Sequence, residues 1–139
     1  DACDLKEYKN NSFHLAHSNS VIEHVGDWDR MVKMSDEISR IAPNYFIQTP
    51  NYWFPLEPHF MTLFFHWLPK PLRAWLILKF NLGHKSRVQS IKEAMYIIDS
   101  ARLLNKKMFQ GLFPEAKIVS ERFLFLNKSF IAIKGSVKV

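Results

Sequence analysis

The feature that most constrains the fold is a helical segment that lies between two short apolar runs. Its apolar residues recur at three- and four-residue steps, which places them on one helix face: Trp28, Met31, Met34, Ile38 and Ile41. Asp27 is placed to cap this helix, predicted over 28–41, and Pro43 prevents its continuation. The runs at 12–18 and 44–49 are each long enough for one strand. This order of strand, helix and strand predicts an α/β protein.

Residues 50–82 combine prolines with an unusual density of aromatic residues. Five prolines break the segment, and Lys70, Arg73 and Lys79 interrupt its apolar run, so it does not fit a transmembrane helix. A proline-bent cover with a short helix at about 71–80 is predicted instead. Three roles remain open for this cover: packing over the sheet, a lid over an apolar acceptor, or contact with an anionic membrane surface.

The last 50 residues predict one further helix and a hairpin. Ser90 and Glu93 have the spacing of a capping box, and Gly111 is predicted to close the helix that begins there. Strands are predicted at 117–124 and 129–134, joined by a turn centred on 126–128. The predicted sheet is mostly parallel, with the final strand antiparallel to its neighbours.

Composition excludes several classes of site. The chain has one cysteine, Cys3, which leaves no disulfide framework and no cysteine-built zinc site. No two of its four glycines lie close together, so it contains no glycine-rich phosphate or dinucleotide loop. His14, His17, His66 and His84 lack metal-ligand spacing, and no metal is expected. A net charge of +6 permits an acidic partner but does not select nucleic acid, which we do not expect.

Residues 13–25, Phe-His-Leu-Ala-His-Ser-Asn-Ser-Val-Ile-Glu-His-Val, resemble a stretch of class I S-adenosylmethionine-dependent methyltransferases of the type-11 group. Residues 1–5 and 37–43 resemble the segments that flank this stretch, and 48–60 and 121–133 resemble one bacterial subgroup. The order and spacing of these segments carry the resemblance, which extends over nearly the whole chain.

The resemblance implies a truncated Rossmann-like methyltransferase sheet. It covers only the C-terminal half of the family domain: three parallel strands and one antiparallel strand, in the order 4-5-7-6, with helices. We therefore expect residues 1–139 to form one partial domain, with 50–85 as an aromatic and proline-rich insertion covering the acceptor side. The glycine-rich cofactor loop would precede Asp1, and the unpaired edge of the first strand invites a partner half, a homodimer or a longer parent protein.

The resemblance also implies site residues. It assigns cofactor contacts to Asp1, Ala2, Ser18 and Asn19, and a catalytic role to His24, which could act as a general base. It assigns acceptor binding to Gln48, Asn51, Tyr52 and His59, and a place in the lining of the same pocket to Thr49, all at or after the end of the second strand. Plain structural roles stay open for all of them: a frayed terminus, hydrogen-bonded turns and loops, and a histidine that only packs.

Two functions therefore stand after the sequence has been read. The first is transfer of a methyl group from S-adenosylmethionine to a small-molecule or lipid-like acceptor. The second is a catalytically incompetent methyltransferase-like module that folds, dimerises or binds a membrane surface. The expected location is cytoplasmic, including the inner face of a membrane.

Overall fold

The structure, a computed structural model, describes residues 1–135, which contain four α-helices and six strands. The helices are α1 (Trp28–Ile41), α2 (Lys70–Lys79), α3 (Ile91–Asp99) and α4 (Lys106–Leu112). The strands are β1 (Ala16–Asn19), β2 (Tyr45–Pro50), β3 (Leu56–Glu57), β4 (Thr62–Leu63), β5 (Lys117–Phe123) and β6 (Leu126–Lys134).

Four strands form the main sheet in the order β1-β2-β6-β5. β1 pairs with β2 in parallel, with Ala16 opposite Tyr45, whereas β6 runs antiparallel to both β2 and β5. The predicted α/β class is thus confirmed, as a mixed α/β fold. The sheet predicted as mostly parallel is instead mostly antiparallel in its pairing. β1, β2 and β5 share one direction, but β1 and β2 are the one parallel pair of neighbours within residues 1–135, because the reversed strand β6 lies between β2 and β5.

The first hydrophobic core lies between the sheet and two helices. Every second residue of β2 is buried, and these residues pack with the apolar face of α1 and with Phe109 of α4. The predicted helix over 28–41 matches α1, and the Asp27 side chain accepts a hydrogen bond from the Arg30 backbone N–H at 3.0 Å, as a helix cap does.

The proline-rich cover builds a second core beside the first. β3 and β4 form a small hairpin, a 3-10 turn follows at Phe65–Trp67, and α2 packs on α3. The buried residues of this cluster run from the cover into α3: Phe60, Phe65, Ala74, Ile77, Val88, Ala94 and Ile98. The short helix predicted at 71–80 is present as α2. No helix in residues 1–135 is long and apolar enough to cross a membrane.

The helix predicted from Ser90 to Gly111 is wrong in its second half. Its start is confirmed, because the Ser90 hydroxyl accepts from the Glu93 backbone N–H at 3.1 Å. The helix α3 nevertheless ends at Asp99, and Asn105 caps a new helix, α4, by accepting from Met108 N at 3.0 Å. Gly111 therefore lies inside α4 instead of closing a longer helix.

Two predicted strand boundaries also differ. The first strand begins at Ala16 and not at residue 12, because the backbone N–H groups of Asn11 and Phe13 donate to the last carbonyls of α1. The hairpin turn lies at residues 124–125, where Leu124 adopts a left-handed conformation with φ of 54°. β6 is consequently longer than the predicted strand at 129–134.

Two glycines distinguish a helix interior from a left-handed turn. A Cβ at Gly111 would meet nothing within 4 Å, so Gly111→Ala should raise the free energy of unfolding by about 0.5–1 kcal/mol.

Gly83 has φ of +56°, and a Cβ there would lie 1.8 Å from the Phe60 carbonyl oxygen. Gly83→Ala should therefore destabilise the fold by more than about 1 kcal/mol. Urea unfolding of both variants measures this; a destabilised Gly111→Ala would contradict the α4 assignment.

Candidate active site

The candidate site lies where β1 and β2 end. A 3-10 turn, Ile22–His24, follows β1 and carries Glu23 and His24, while the fully buried Ile22 fixes the turn in the core. The segment 100–104 crosses the same end of the sheet: Arg102 N donates to the Glu23 carbonyl at 2.7 Å. In open α/β sheets the carboxyl ends of parallel strands are where ligands bind.

Glu23 is an acid inside the core. Its side chain is 1% exposed, and one carboxylate oxygen, Oε2, accepts a hydrogen bond from the Thr49 hydroxyl at 3.0 Å. The other oxygen, Oε1, is buried and has no hydrogen-bond partner within residues 1–135. Burial raises the pKa of Glu23 above its ordinary value, and hydrogen bonds from its own backbone and Thr49 oppose that shift only in part.

His24 and His59 meet through their ring nitrogens. Their Nε2 atoms lie 3.0 Å apart, with the rings edge to face. Nδ1 of His24 lies 2.9 Å from the Ser100 carbonyl oxygen, and Nδ1 of His59 lies 2.6 Å from Oε1 of Glu57. Glu57 is buried, and its other oxygen accepts from the Phe60 backbone N–H at 2.6 Å. Each ring is thus oriented by a fixed oxygen.

A cavity of about 230 Å³ opens beside His59. Its lining includes Tyr52 and three side chains of the cover that carry basic nitrogen groups: Lys70, Arg73 and His66. His66 Nε2 donates to the Tyr52 carbonyl at 2.7 Å, and burial lowers the pKa of His66, which favours the neutral ring. Burial also lowers the pKa of Arg73, whose Nε has no partner in the described part of the chain.

A second cavity, of about 550 Å³, lies on the opposite side of the β2 end and is more apolar. Three predicted site residues border it: Asn19, Gln48 and Asn51. Gln48 Oε1 accepts from the Ser20 hydroxyl at 2.9 Å. The Asn51 amide is committed to the fold, because it donates to the Asn127 carbonyl and accepts from Trp53 N.

The predicted cofactor residues do not gather in one place. Asp1 forms an ion pair with Arg30 at 2.9 Å, and Ala2 packs against the first core. Ser18 Oγ is buried and has no hydrogen-bond partner among the residues that the structure describes, and Asn19 is exposed at the end of β1. The N-terminal segment is held against α1 by Glu37, which accepts from the Leu5 backbone N–H and from Arg40. Arg40 lowers the pKa of Glu37 to about 2.

Sequence reasoning thus identified His24 and His59, which are in contact, and Tyr52, which lines the cavity beside His59. Thr49, which was predicted to line the acceptor pocket, is instead fully buried and donates to Glu23. Sequence reasoning did not assign roles to Glu57 or to Ser100, whose carbonyl orients His24. The spacing Glu57-Pro58-His59 was a usable signal, since a carboxylate two residues before a histidine can reach its ring. The contact between His24 and the Ser100 carbonyl could not be predicted from the sequence, because every residue type offers the same backbone carbonyl.

Comparison with known proteins adds information on the fold alone. No family model matches the chain, and no curated protein was found to match it. One similar solved structure is described as a possible exported protein from Bordetella parapertussis, with a TM-score of 0.54 and 13% sequence identity over 98% of this chain. This chain spans 43% of the length of that protein.

Thr49 provides a test of the buried acid. Thr49→Val keeps the shape but removes the described side-chain donor to Glu23, so the free energy of unfolding should fall by about 1–3 kcal/mol. Thr49→Ser retains the hydroxyl and should recover most of that loss. Denaturant unfolding of the three proteins is the measurement. Equal stability of the Val and Ser variants would show that the Thr49–Glu23 hydrogen bond contributes nothing.

Proposed function

We propose that this chain acts in methyl transfer from S-adenosylmethionine to a small-molecule or lipid-like acceptor, as the acceptor-side portion of a class I methyltransferase. The observation that carries the proposal is the contact of His24, which follows β1, with His59, which lines one cavity together with Tyr52. Tyr52 and His59 both follow β2, and the family resemblance had assigned all three residues to the site.

The strand order supports the same proposal. The sheet order β1-β2-β6-β5, with one reversed strand inside it, is the order 4-5-7-6 that the resemblance implies. β1 lies at one edge of this sheet, where the resemblance places pairing with a further strand. A homodimer through that edge, or a partner that supplies the missing strands, follows from the same proposal.

Two of the four residues predicted to contact S-adenosylmethionine offer side-chain groups suited to that role. Asn19 is exposed at the carboxyl end of β1, and Ser18 offers an unpartnered hydroxyl. Asp1 and Ala2 contribute less, because the Asp1 carboxylate is bound to Arg30 and Ala2 packs in the core. S-adenosylmethionine would supply the methyl group and leave as the neutral thioether.

The chain's own residues would position the acceptor and remove its proton. Methyl transfer is an in-line displacement, which depends chiefly on holding the acceptor atom in line with the methyl group. The Nε2 lone pair of His24 or His59 can take the proton that an acceptor hydroxyl loses. The Ser100 carbonyl and the Glu57 carboxylate accept from the Nδ1 atoms of these rings and so orient them, and Tyr52 lines the cavity beside His59.

Calorimetric titration of the 139-residue chain with S-adenosylhomocysteine tests the proposal. We expect a dissociation constant on the order of micromolar, and about tenfold weaker binding by Asn19→Ala through loss of one hydrogen bond. Asn127→Ala is the matched control, because Asn127 lies in β6 and contributes a backbone carbonyl to Asn51. Absence of binding up to millimolar cofactor would overturn the proposal for this chain and leave the incompetent module.

A second candidate is a module that binds a membrane surface, as the sequence allowed. Aromatic side chains of the cover are exposed, with Trp53 at 63%, and they adjoin the tip of the β5–β6 hairpin, where Phe125 is 97% exposed. Phe54 of the cover meets Phe123 of the hairpin edge to face, with 6.4 Å between ring centroids, which joins the two into one surface. Exposed apolar surface of this kind marks a contact site. It would place the chain at the inner face of a membrane.

Vesicle flotation separates this candidate from the first. The chain should float with vesicles of mixed neutral and anionic lipid, and Trp53→Ala with Phe125→Ala should reduce the bound fraction severalfold, because both rings are lost from the surface. Phe13→Ala is the control, since Phe13 packs on Tyr8 at the N-terminal segment. Absence of flotation at both low and high salt would remove the membrane candidate.

A further inference from the structure

The contact between His24 and His59 is unfavourable for two neutral rings. The Ser100 carbonyl oxygen can only accept, so Nδ1 of His24 carries the ring hydrogen. The Glu57 carboxylate likewise accepts from Nδ1 of His59. A neutral imidazole carries one ring hydrogen, so both Nε2 atoms present lone pairs, and these lone pairs lie 3.0 Å apart.

Glu23 presents a second unsatisfied acceptor at the same place. Its Oε1 is buried without a partner, and a carboxylate oxygen of Glu23 lies within 4.8 Å of a ring nitrogen of His24 and of His59. A buried polar atom without a partner costs on the order of 1–3 kcal/mol. Three side chains with available electron pairs therefore lie within 4.8 Å of one another, and no hydrogen-bond donor from the described residues reaches Oε1 of Glu23.

A proton between the two rings would satisfy only part of this arrangement. It would bridge the Nε2 atoms of His24 and His59, but Oε1 of Glu23 would still lack a partner. A metal cation satisfies all three groups at once. Bonds of about 2.0–2.1 Å from zinc to imidazole nitrogen place two ligand nitrogens about 3.3 Å apart at the tetrahedral angle. The Nε2 atoms lie 3.0 Å apart, so a small outward shift of the two rings would admit the ion.

We propose that Glu23, His24 and His59 bind a divalent transition-metal cation, for which zinc fits the donor set of two imidazoles and one carboxylate. Magnesium and calcium are less suitable, since they select oxygen ligands. The inference goes beyond the proposed function, because it requires neither the cofactor nor an acceptor.

The groups that hydrogen-bond to these three side chains are arranged like those around the ligands of known metal sites. A metal-bound histidine commonly donates its other ring N–H to a carboxylate or a backbone carbonyl, which fixes the ring and its tautomer. His59 has Glu57 in that position, and His24 has the Ser100 carbonyl. The Thr49 hydroxyl similarly holds the second oxygen of Glu23. All three ligands are therefore oriented before any cation arrives.

Three protein ligands leave a coordination position open for a water or a substrate oxygen. His59 lines the 230 Å³ cavity, so the open position adjoins that cavity. A cation there lowers the pKa of a bound hydroxyl and removes the need for a separate base. The ligand chemistry that suits this site is thus an acceptor with a hydroxyl or another oxygen donor.

Titration of the chelator-treated 139-residue chain with Zn²⁺, followed by calorimetry and native mass spectrometry, tests the proposal. We expect one equivalent to bind, with Co²⁺ competing for the same site and giving a visible absorption band. Neither readout requires methyl transfer, so a failure of the proposed function does not affect them. A chain that takes up no stoichiometric Zn²⁺ would overturn the proposal.

Variants locate the site. Glu57→Gln should weaken Zn²⁺ binding about 10–100-fold by loosening His59, and His24→Ala or His59→Ala should weaken it further by removing a ligand. His14→Ala and His84→Ala are matched controls, because both histidines are exposed and lie outside the cluster.

Circular dichroism verifies folding, and Glu23→Gln, which keeps the shape, provides a variant that should fold and bind more weakly. Equal loss in the controls, or full binding by His24→Ala and His59→Ala, would contradict the assignment.

Discussion

The pairing of β2 along both of its edges is the constraint on which the rest of the structure depends. β1 and β6 both hydrogen-bond to it, and its buried face carries Tyr45, Ile47 and Thr49 in strict alternation. A slip of one residue would move all three side chains to the opposite face. Thr49 would then no longer reach Glu23, so the register of the sheet also fixes the position of the candidate site.

The site lies where the two hydrophobic cores meet. Glu23 and His24 follow β1, whose neighbours form the core with α1 and α4, whereas His59 and Glu57 belong to the cover that packs on α3. The contact between the two histidine rings is therefore also a link between the cores. A cation or a proton at that contact would act on the placement of the cover as well as on chemistry.

The sequence predicted the elements whose signals are local. The helix α1 followed from apolar spacing and the Asp27 cap, and the start of α3 followed from Ser90 and Glu93, because these groups satisfy backbone donors within a few residues. The break between α3 and α4 depends on Leu104, which is fully buried and bridges to Asn51, a contact between residues far apart in the chain. Tertiary packing of this kind overrides local helix propensity.

The distinction between local signals and tertiary contacts also explains which parts of the site could be predicted. His24 and His59 were singled out separately, but 35 positions separate them, and only the path of the cover brings them together. That path is fixed at its base, where Tyr52 N donates to the Leu104 carbonyl and Asn51 bridges to Leu104. The contact between the histidines adds a second link, in which the Ser100 carbonyl and the Glu57 carboxylate orient the two rings. A ligand bound between Glu23, His24 and His59 would therefore act on the cover at this contact and not at its base.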